Sequence, residues 1–332
     1  MNKIQFDRTS FDGSNITLRD IEVWYDKDNE LSDKNIKKEM EGIHHEQEKV
    51  NTLLQEITNN IHSILLLSPV ELEKWAVKID NEYPNVFSKR SANNRIVSTE
   101  LGKQVLKAFN YDNYRKNKLV DLAKKLNVKS CPYCNMHYTL YAEEGATRTD
   151  QLARFQFDHF FSKNKYPMLS MSLYNLIPSC ALCNQGKSDK RLPLSFHPYY
   201  SDICKQFKFE LDNPIGLYSG QKISDHIDVN IVATSFNQSE VDEFAQTFHL
   251  KALYQRHGDI AQEIFDKAYE YPYYSHPENF KWLSNRSTDY IKRLWMGTYP
   301  DEKDIEKRPM TKFIQDLWEQ AVRNKLPVET VK

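Results

Sequence analysis

Four of the five cysteines fall into two Cys-x-x-Cys pairs, Cys131/Cys134 and Cys180/Cys183, and Cys204 is left over. In a reducing compartment this spacing reads as metal rather than disulfide, because each pair makes a tight turn that aims two sulfurs at one point. Four thiolates make a soft, closed, tetrahedral set suited to zinc. Such a set has no open coordination position, so the expected ion is structural and not catalytic. Its binding energy, on the order of 10 kcal/mol in small zinc domains, rivals the net stability of a domain. The pairs alone fit a non-catalytic zinc module that binds nucleic acid or a partner protein, so the residues around them decide. Of the 45 residues between Cys134 and Cys180, Phe155–Phe161 alternates like a strand and carries Asp158-His159. Asn175 follows, and Cys180–Lys187, with Asn184 directly after the second pair, reads as the start of a helix. Cys204 reads as a plain thiol and His197 as a structural side chain.

Asp158-His159, Asn175-Leu176 sixteen residues after that histidine, and Cys-x-x-Cys-Asn-x-x-Lys at 180–187 together resemble the HNH endonuclease motif of the ββα-metal fold, over about 60 residues. The stretch Phe157–Lys163, with Tyr166-Pro167 and Leu173–Cys180, is similar to the HNH subunit of Septu-type and retron-associated bacterial anti-phage systems. The resemblance implies His159 as general base, Asn175 as the residue that steadies its loop, and Asp158 with Asn184 as ligands of a divalent ion, Mg2+ or Mn2+. Asn184 stands where many members have a histidine, as in the HNN variant. The implied activity is hydrolysis of phosphodiester bonds, with DNA favoured over RNA as substrate. An ATPase partner chain is also implied, and it must be a separate chain. No GxGxxG is present, and Gly186-Lys187-Ser188 lacks the first P-loop glycine, Ala181 standing in its place. The chemistry is coherent: a neutral imidazole near its ordinary pKa of about 6.5 can take a proton from water at pH 7. Hard oxygen ligands suit magnesium or manganese. Lys163, Lys165, Lys187, Lys190 and Arg191 would offer phosphates a basic rim.

The rest of the chain must position these residues. Its 45 basic and 46 acidic side chains give a net charge of -1, which excludes a histone-like polybasic protein but not a locally basic cleft. Only 9 glycines occur in 332 residues, against an average near ~7%, so helix is expected to dominate. Neither a signal core nor an apolar run of membrane-spanning length is present, and a cytoplasmic protein is expected.

Ile36, Met40, Ile43, Val50, Leu54, Ile57, Ile61 and Ile64 repeat at alternating steps of four and three, broken only by Gln47, predicting a heptad-like helix over 33–66. That seam leaves open a homo-oligomer formed through the N-terminal helix. Ser68-Pro69-Val70-Glu71 predicts a capping box opening a second helix. Helical stretches are also expected within 99–127, where Arg115, Lys116, Lys118, Lys124 and Lys125 form a basic run, and at 250–269 and 313–322. Alternation at 207–211 and 227–231 predicts a hairpin, and a Tyr- and Pro-rich connection is expected at 271–277. The expected organisation is a helical region at 1–128, a zinc-bound HNH core at 129–200, a small β hairpin segment at 201–236 and a helical region at 237–332. In fold class this is α+β, predominantly helical, with a zinc-stapled ββα-metal core between helical N- and C-terminal regions.

Overall fold

A computed structural model describes residues 3–4, 8–9, 13–27, 33–112, 114, 119–143, 151–153, 155–212, 214, 227–234, 237–274 and 285–323. The fold is α+β, with helices predominating and every described sheet two-stranded. No helix among these residues is long and apolar enough to cross a membrane. The chain divides into two units, one of residues 3–128 and 139–201, the other of 1–2, 129–138 and 202–332. Residues 139–201 share a unit with the N-terminal helices.

In the first unit the seam is built from three helices rather than one: α2 (Asp33–Glu41), α3 (Glu48–Asn59) and α4 (Ile61–Leu65), after α1 (Leu18–Lys27). Asn51 explains the first break, because its side-chain amide donates to the His45 carbonyl and accepts from the His45 amide, both at 2.8 Å. Asn60 explains the second, its side chain donating to the Glu56 carbonyl at 2.8 Å. Short polar side chains compete with the helical ladder for backbone partners in this way. Apart from half-buried Ile43, the seam residues are nonetheless buried, from Ile36 and Met40 through Ile57 to Ile64, so their apolar stripe is used within the unit.

Helix α5 (Pro69–Glu82) opens on the expected capping box, Ser68 and Glu71 each bonding the other's backbone amide, an arrangement typically worth about 1 kcal/mol. A hairpin that the sequence reading did not anticipate follows, β3 (Ser88–Arg90) paired with β4 (Ile96–Ser98) after β1 (Arg8–Thr9) and β2 (Asn15–Ile16). Three-residue strands are too short for alternation to announce them. Its base is clamped to α6 (Glu100–Ala108): the N-cap Thr99 donates its hydroxyl to the Val86 carbonyl at 2.7 Å and its amide to the Phe87 carbonyl at 2.9 Å. A Cβ at Gly102 would collide with that same Phe87 carbonyl oxygen, so the close approach needs glycine. Helix α7 (Leu119–Leu126) and the pair β5 (Tyr141–Glu143) and β6 (Gln151–Ala153) come next. Arg115, Lys116 and Lys118 of the basic run lie outside the described residues.

A strand–strand–helix segment completes this unit: β7 (Gln156–His159) pairs antiparallel with β8 (Leu176–Ser179), and α8 (Ala181–Lys187) follows at once. Its loop is tied to the N-terminal helices. Ser172 Oγ donates to the Ile64 carbonyl at 2.6 Å, Tyr166 to Asp80 at 2.9 Å, and Tyr25 to the Met171 carbonyl.

In the second unit the expected hairpin is present as β9 (Phe207–Leu211) and β10 (Val229–Ala233), in register from Val229↔Leu211 to Ala233↔Phe207. Residues 213 and 215–226 between them lie outside the described residues. Helix side chains guard both sheet edges. Gln320 on the last helix bonds the Leu211 amide and carbonyl, each at 2.9 Å, and Asp316 accepts from the Phe209 amide. At the other edge Gln238 bonds the Ile231 carbonyl and the Ala233 amide. Edges satisfied like this cannot recruit another strand. The helices are α9 (Gln238–Thr247), α10 (Leu250–Tyr254), α11 (Gly258–Tyr274), α12 (Thr288–Met296) and α13 (Thr311–Arg323). The helix expected over 250–269 is thus two, because the Gln255 carbonyl accepts from the Ile227 amide instead of continuing the ladder. The connection expected at 271–277 begins as helix through Tyr274, and 275–277 lie outside the described residues.

Candidate metal centre and cleft

Each cysteine pair is shaped by its own surroundings. Cys180 is the N-cap of α8, its sulfur accepting from the Cys183 amide at 3.4 Å, so the helix start itself turns two thiols to one side. At the other pair the Cys131 amide donates to the His137 carbonyl and the Asn135 amide to the Cys131 carbonyl, which closes the knuckle. Asn135 sits in the left-handed region at φ 51°, a conformation that asparagine tolerates. Tyr254 donates to the Cys134 carbonyl at 2.6 Å, and the Tyr133 ring stacks on Phe248 with centroids 4.5 Å apart. The four sulfurs lie within 4.8 Å of one another and all four cysteines are buried. A tetrahedron with Zn–S bonds of about 2.3 Å sets sulfurs roughly 3.8 Å apart, so this donor set fits one soft metal ion after slight contraction. Cys204 is buried and its thiol is pushed up by that burial, as befits an inert thiol.

Next to the second pair, a cleft of about 450 Å³ is lined by Tyr111, Leu119, Phe155, Gln156, Phe157, His159, Lys163 and Asn184. His159 is 7% exposed, and its Nε2 lies 2.9 Å from the Ser170 carbonyl oxygen. A carbonyl can only accept, so Nε2 carries the proton and Nδ1 is the nitrogen that can receive one. Burial, reinforced by the Lys163 charge, pushes the imidazole down to about 3, well below the ordinary value on which the sequence expectation rested. The ring is neutral at pH 7, and a phosphodiester anion in the cleft would raise its basicity. Tyr111 packs edge-on at 4.5 Å, with the Lys163 ammonium 4.3 Å from the Tyr111 ring centre.

Asn175 is fully buried and holds the loop after β7. Its amide nitrogen donates to the Phe161 and Leu169 carbonyls at 3.0 and 2.8 Å, and its oxygen accepts from the Phe161 amide at 2.7 Å. That is the geometry of a positioning residue. Strand β7 and helix α8 meet in two rungs: Asn184 donates to Gln156 at 2.6 Å, and the Lys187 ammonium lies 3.3 and 3.4 Å from the two Asp158 oxygens and 2.6 Å from the His159 carbonyl. Residues two apart on a strand and three apart on a helix share a face, which aligns the rungs.

This pairing corrects two expectations. Lys187 is 0% exposed and cannot meet a phosphate; it compensates Asp158, since a buried carboxylate needs a cation or donors. Both Asp158 oxygens are turned to that ammonium, so Asp158 and Asn184 as arranged do not form a cradle for a hard divalent ion. Among the other predicted rim residues, Lys165 pairs with Asp80 at 2.7 Å, Arg191 with Glu73 and Asp80 at 3.3 Å, and Lys163 with Asp112 at 3.9 Å. Lys190 is exposed. His197 is buried against Phe160, its Nδ1 accepting from the Tyr199 amide at 3.2 Å, a structural role. The sequence reading missed Tyr111, Gln156 and Asn135; only the first two line the cleft, and nothing in their local sequence marks them. Compared with families of proteins, with curated proteins and with solved structures, the chain matches none.

Proposed function

We propose that this protein is a zinc-stabilised endonuclease of the HNH type that hydrolyses phosphodiester bonds in nucleic acid. The observation that carries the reading is His159: a neutral imidazole with Nδ1 ready to accept a proton, on a strand–strand–helix segment beside a 450 Å³ cleft, its loop held by Asn175. In that reading His159 takes the proton of the attacking water, Asn175 keeps the loop in register, and Asn184 offers the cleft a polar amide. Zinc on Cys131, Cys134, Cys180 and Cys183 fastens the knuckles and stays out of the chemistry. No step is assigned to a second, divalent ion, because the Asp158–Lys187 pair stands where the resemblance would put it.

The test is cleavage of plasmid DNA and of total RNA by zinc-loaded protein, with and without Mg2+ or Mn2+, for wild type and His159→Ala. Cleavage lost in the variant while zinc content and melting temperature persist supports the reading and names the substrate class. Equal cleavage by the variant, or none by wild type, overturns it. The narrower role, the nuclease effector of an anti-phage defence system working with an ATPase chain, is supported by the sequence resemblance alone. Recovery of no ATPase with the tagged protein from its native host would count against it. A second reading, a zinc module that binds nucleic acid or a partner protein without cutting, is favoured by the low basicity of His159 and by the lysine on Asp158. It predicts binding without cleavage under every metal condition.

A further inference from the structure

We infer that the β3–β4 ribbon, residues 88–98, is the surface on which duplex DNA rides, with Lys89, Arg90 and Arg95 meeting its backbone phosphates. The inference rests on the nuclease reading for its substrate and goes beyond it in placing the grip outside the HNH-like segment. Between Glu82 and Glu100 the seventeen residues carry these three bases and no carboxylate. All three bases are exposed, and among the described residues no carboxylate pairs with any of them. The cations next to the cleft differ: Lys163, Lys165 and Arg191 face Asp112, Asp80 and Glu73, and Lys187 is buried on Asp158. A cation already matched to a carboxylate gains little from a phosphate, whereas an unmatched one releases counterions on binding.

The ribbon also has suitable shape and placement. Arg90 is preorganised by bonds to the Asn94 carbonyl and side-chain oxygens at 3.3 and 3.0 Å. Its base is rigid, through Thr99 and Gly102 on α6. Ser98 donates to the Asn164 carbonyl at 3.4 Å, which ties the ribbon to the loop that carries Lys163. A groove of about 300 Å³, lined by Asn85, Lys89, Arg90, Lys165 and the Asp80 that Lys165 pairs with, continues the surface from ribbon to loop. Two strands roughly 5 Å apart fit the major groove of B-form DNA, about 12 Å wide, and not the deep, narrow one of A-form RNA.

The experiment measures binding of a 30-base-pair DNA duplex and of an RNA duplex of the same sequence to zinc-loaded full-length protein by fluorescence anisotropy, over a salt series. Lys89→Gln/Arg90→Gln/Arg95→Gln is compared with a control that neutralises Lys37, Lys38 and Lys107 on α2 and α6. A second variant, Lys89→Gln/Arg95→Gln, leaves the Arg90–Asn94 bonds intact in case the triple variant misfolds. The expected result is a loss of DNA affinity of about tenfold or more in the triple variant, with the salt slope reduced by about 2 to 3, a smaller loss in the double variant and near-wild-type binding by the control. Unchanged slope in the ribbon variants, equal loss in the control, preference for the RNA duplex, or no binding of DNA by wild type at low salt overturns the proposal. His159→Ala separates the two readings: if it still cuts DNA while the ribbon variants lose affinity, the nuclease assignment of His159 falls and the ribbon stands.

Discussion

Two asparagines, Asn135 and Asn175, are each fully buried and each satisfy their amide completely, yet one unit builds its network from neighbours and the other from the far end of the chain. Asn175 bonds Phe161 and Leu169, fourteen and six residues away. Asn135 donates to Ser130 Oγ at 2.8 Å and to the Ile305 carbonyl at 2.9 Å, and accepts from the Lys312 amide at 2.9 Å, partners up to 177 residues away. The same amide chemistry therefore steadies a loop in one case and ties a metal knuckle to the start of α13 in the other. Long-range closure costs more chain entropy than local closure, so the Asn135 network carries the larger closure cost of the two.

Removing the metal ion that the four cysteines could hold gives the largest expected effect and tests what both knuckles share. Chelation, or Cys134→Ser combined with Cys183→Ser, is expected to remove stability on the order of 10 kcal/mol, read as loss of the calorimetric transition. Elemental analysis is expected to return one zinc per chain; two or none would break the pairing of the knuckles. Lys187→Met comes next, costing about 3 to 5 kcal/mol because the buried Asp158 carboxylate loses the ammonium beside it. Adding Asp158→Asn is expected to recover most of that in urea unfolding, and failure to do so would mean that Lys187 acts through packing alone.

The asparagine comparison is sharpened by Asn135→Ala and Asn175→Ala, each expected to cost about 3 kcal/mol through stranded buried partners. Hydrogen exchange is expected to rise at 305–312 in the first and only at 160–170 in the second. Exchange confined to 130–138 in the Asn135 variant would sink the long-range account.

The smallest effect, taken per unit of pH, is a difference in pH dependence. His197 is held down to about 3, by burial first and then by the Lys187 charge, below an unfolded value of about 6.5. Its contribution is therefore complete above pH 6.5 and is lost as pH falls, by up to about 1.4 kcal/mol per unit. Asp316 in the other unit is raised to about 6, chiefly by burial and against the pull of Lys312. The folded state thus binds its proton more tightly, and stability falls as pH rises from about 4 to 6. His197→Phe is expected to make denaturant-unfolding free energies less sensitive to acid, and Asp316→Asn more sensitive. Equal slopes in both variants and wild type would remove the contrast.

What could be read from the sequence follows from how far apart the cooperating residues lie. Both knuckles, His159 on its strand, Asn175, the Ser68 capping box, the 207–211 strand and, two residues out of place, the strand expected at 227–231 were legible because their signals sit within a few residues or in a compact motif. The single helix expected over 33–66 was not, since periodicity cannot register Asn51 and Asn60 competing for backbone. Lys187 looked like any surface lysine next to a motif; only its burial on Asp158 reveals its role.

The sequence by itself determined the thiolate set, the neutral overall charge, the helical bias and the candidate base, because residue type and short spacing carry that chemistry. Tertiary structure alone decided which charges are matched. It turned Lys187 inward, gave Lys165 and Arg191 to Asp80, and left Lys89, Arg90 and Arg95 without a carboxylate among the described residues, on a ribbon fixed by the Phe87–Gly102 contact. Charge pairing depends on distances of a few ångströms between segments far apart in the chain, and linear order does not contain those distances.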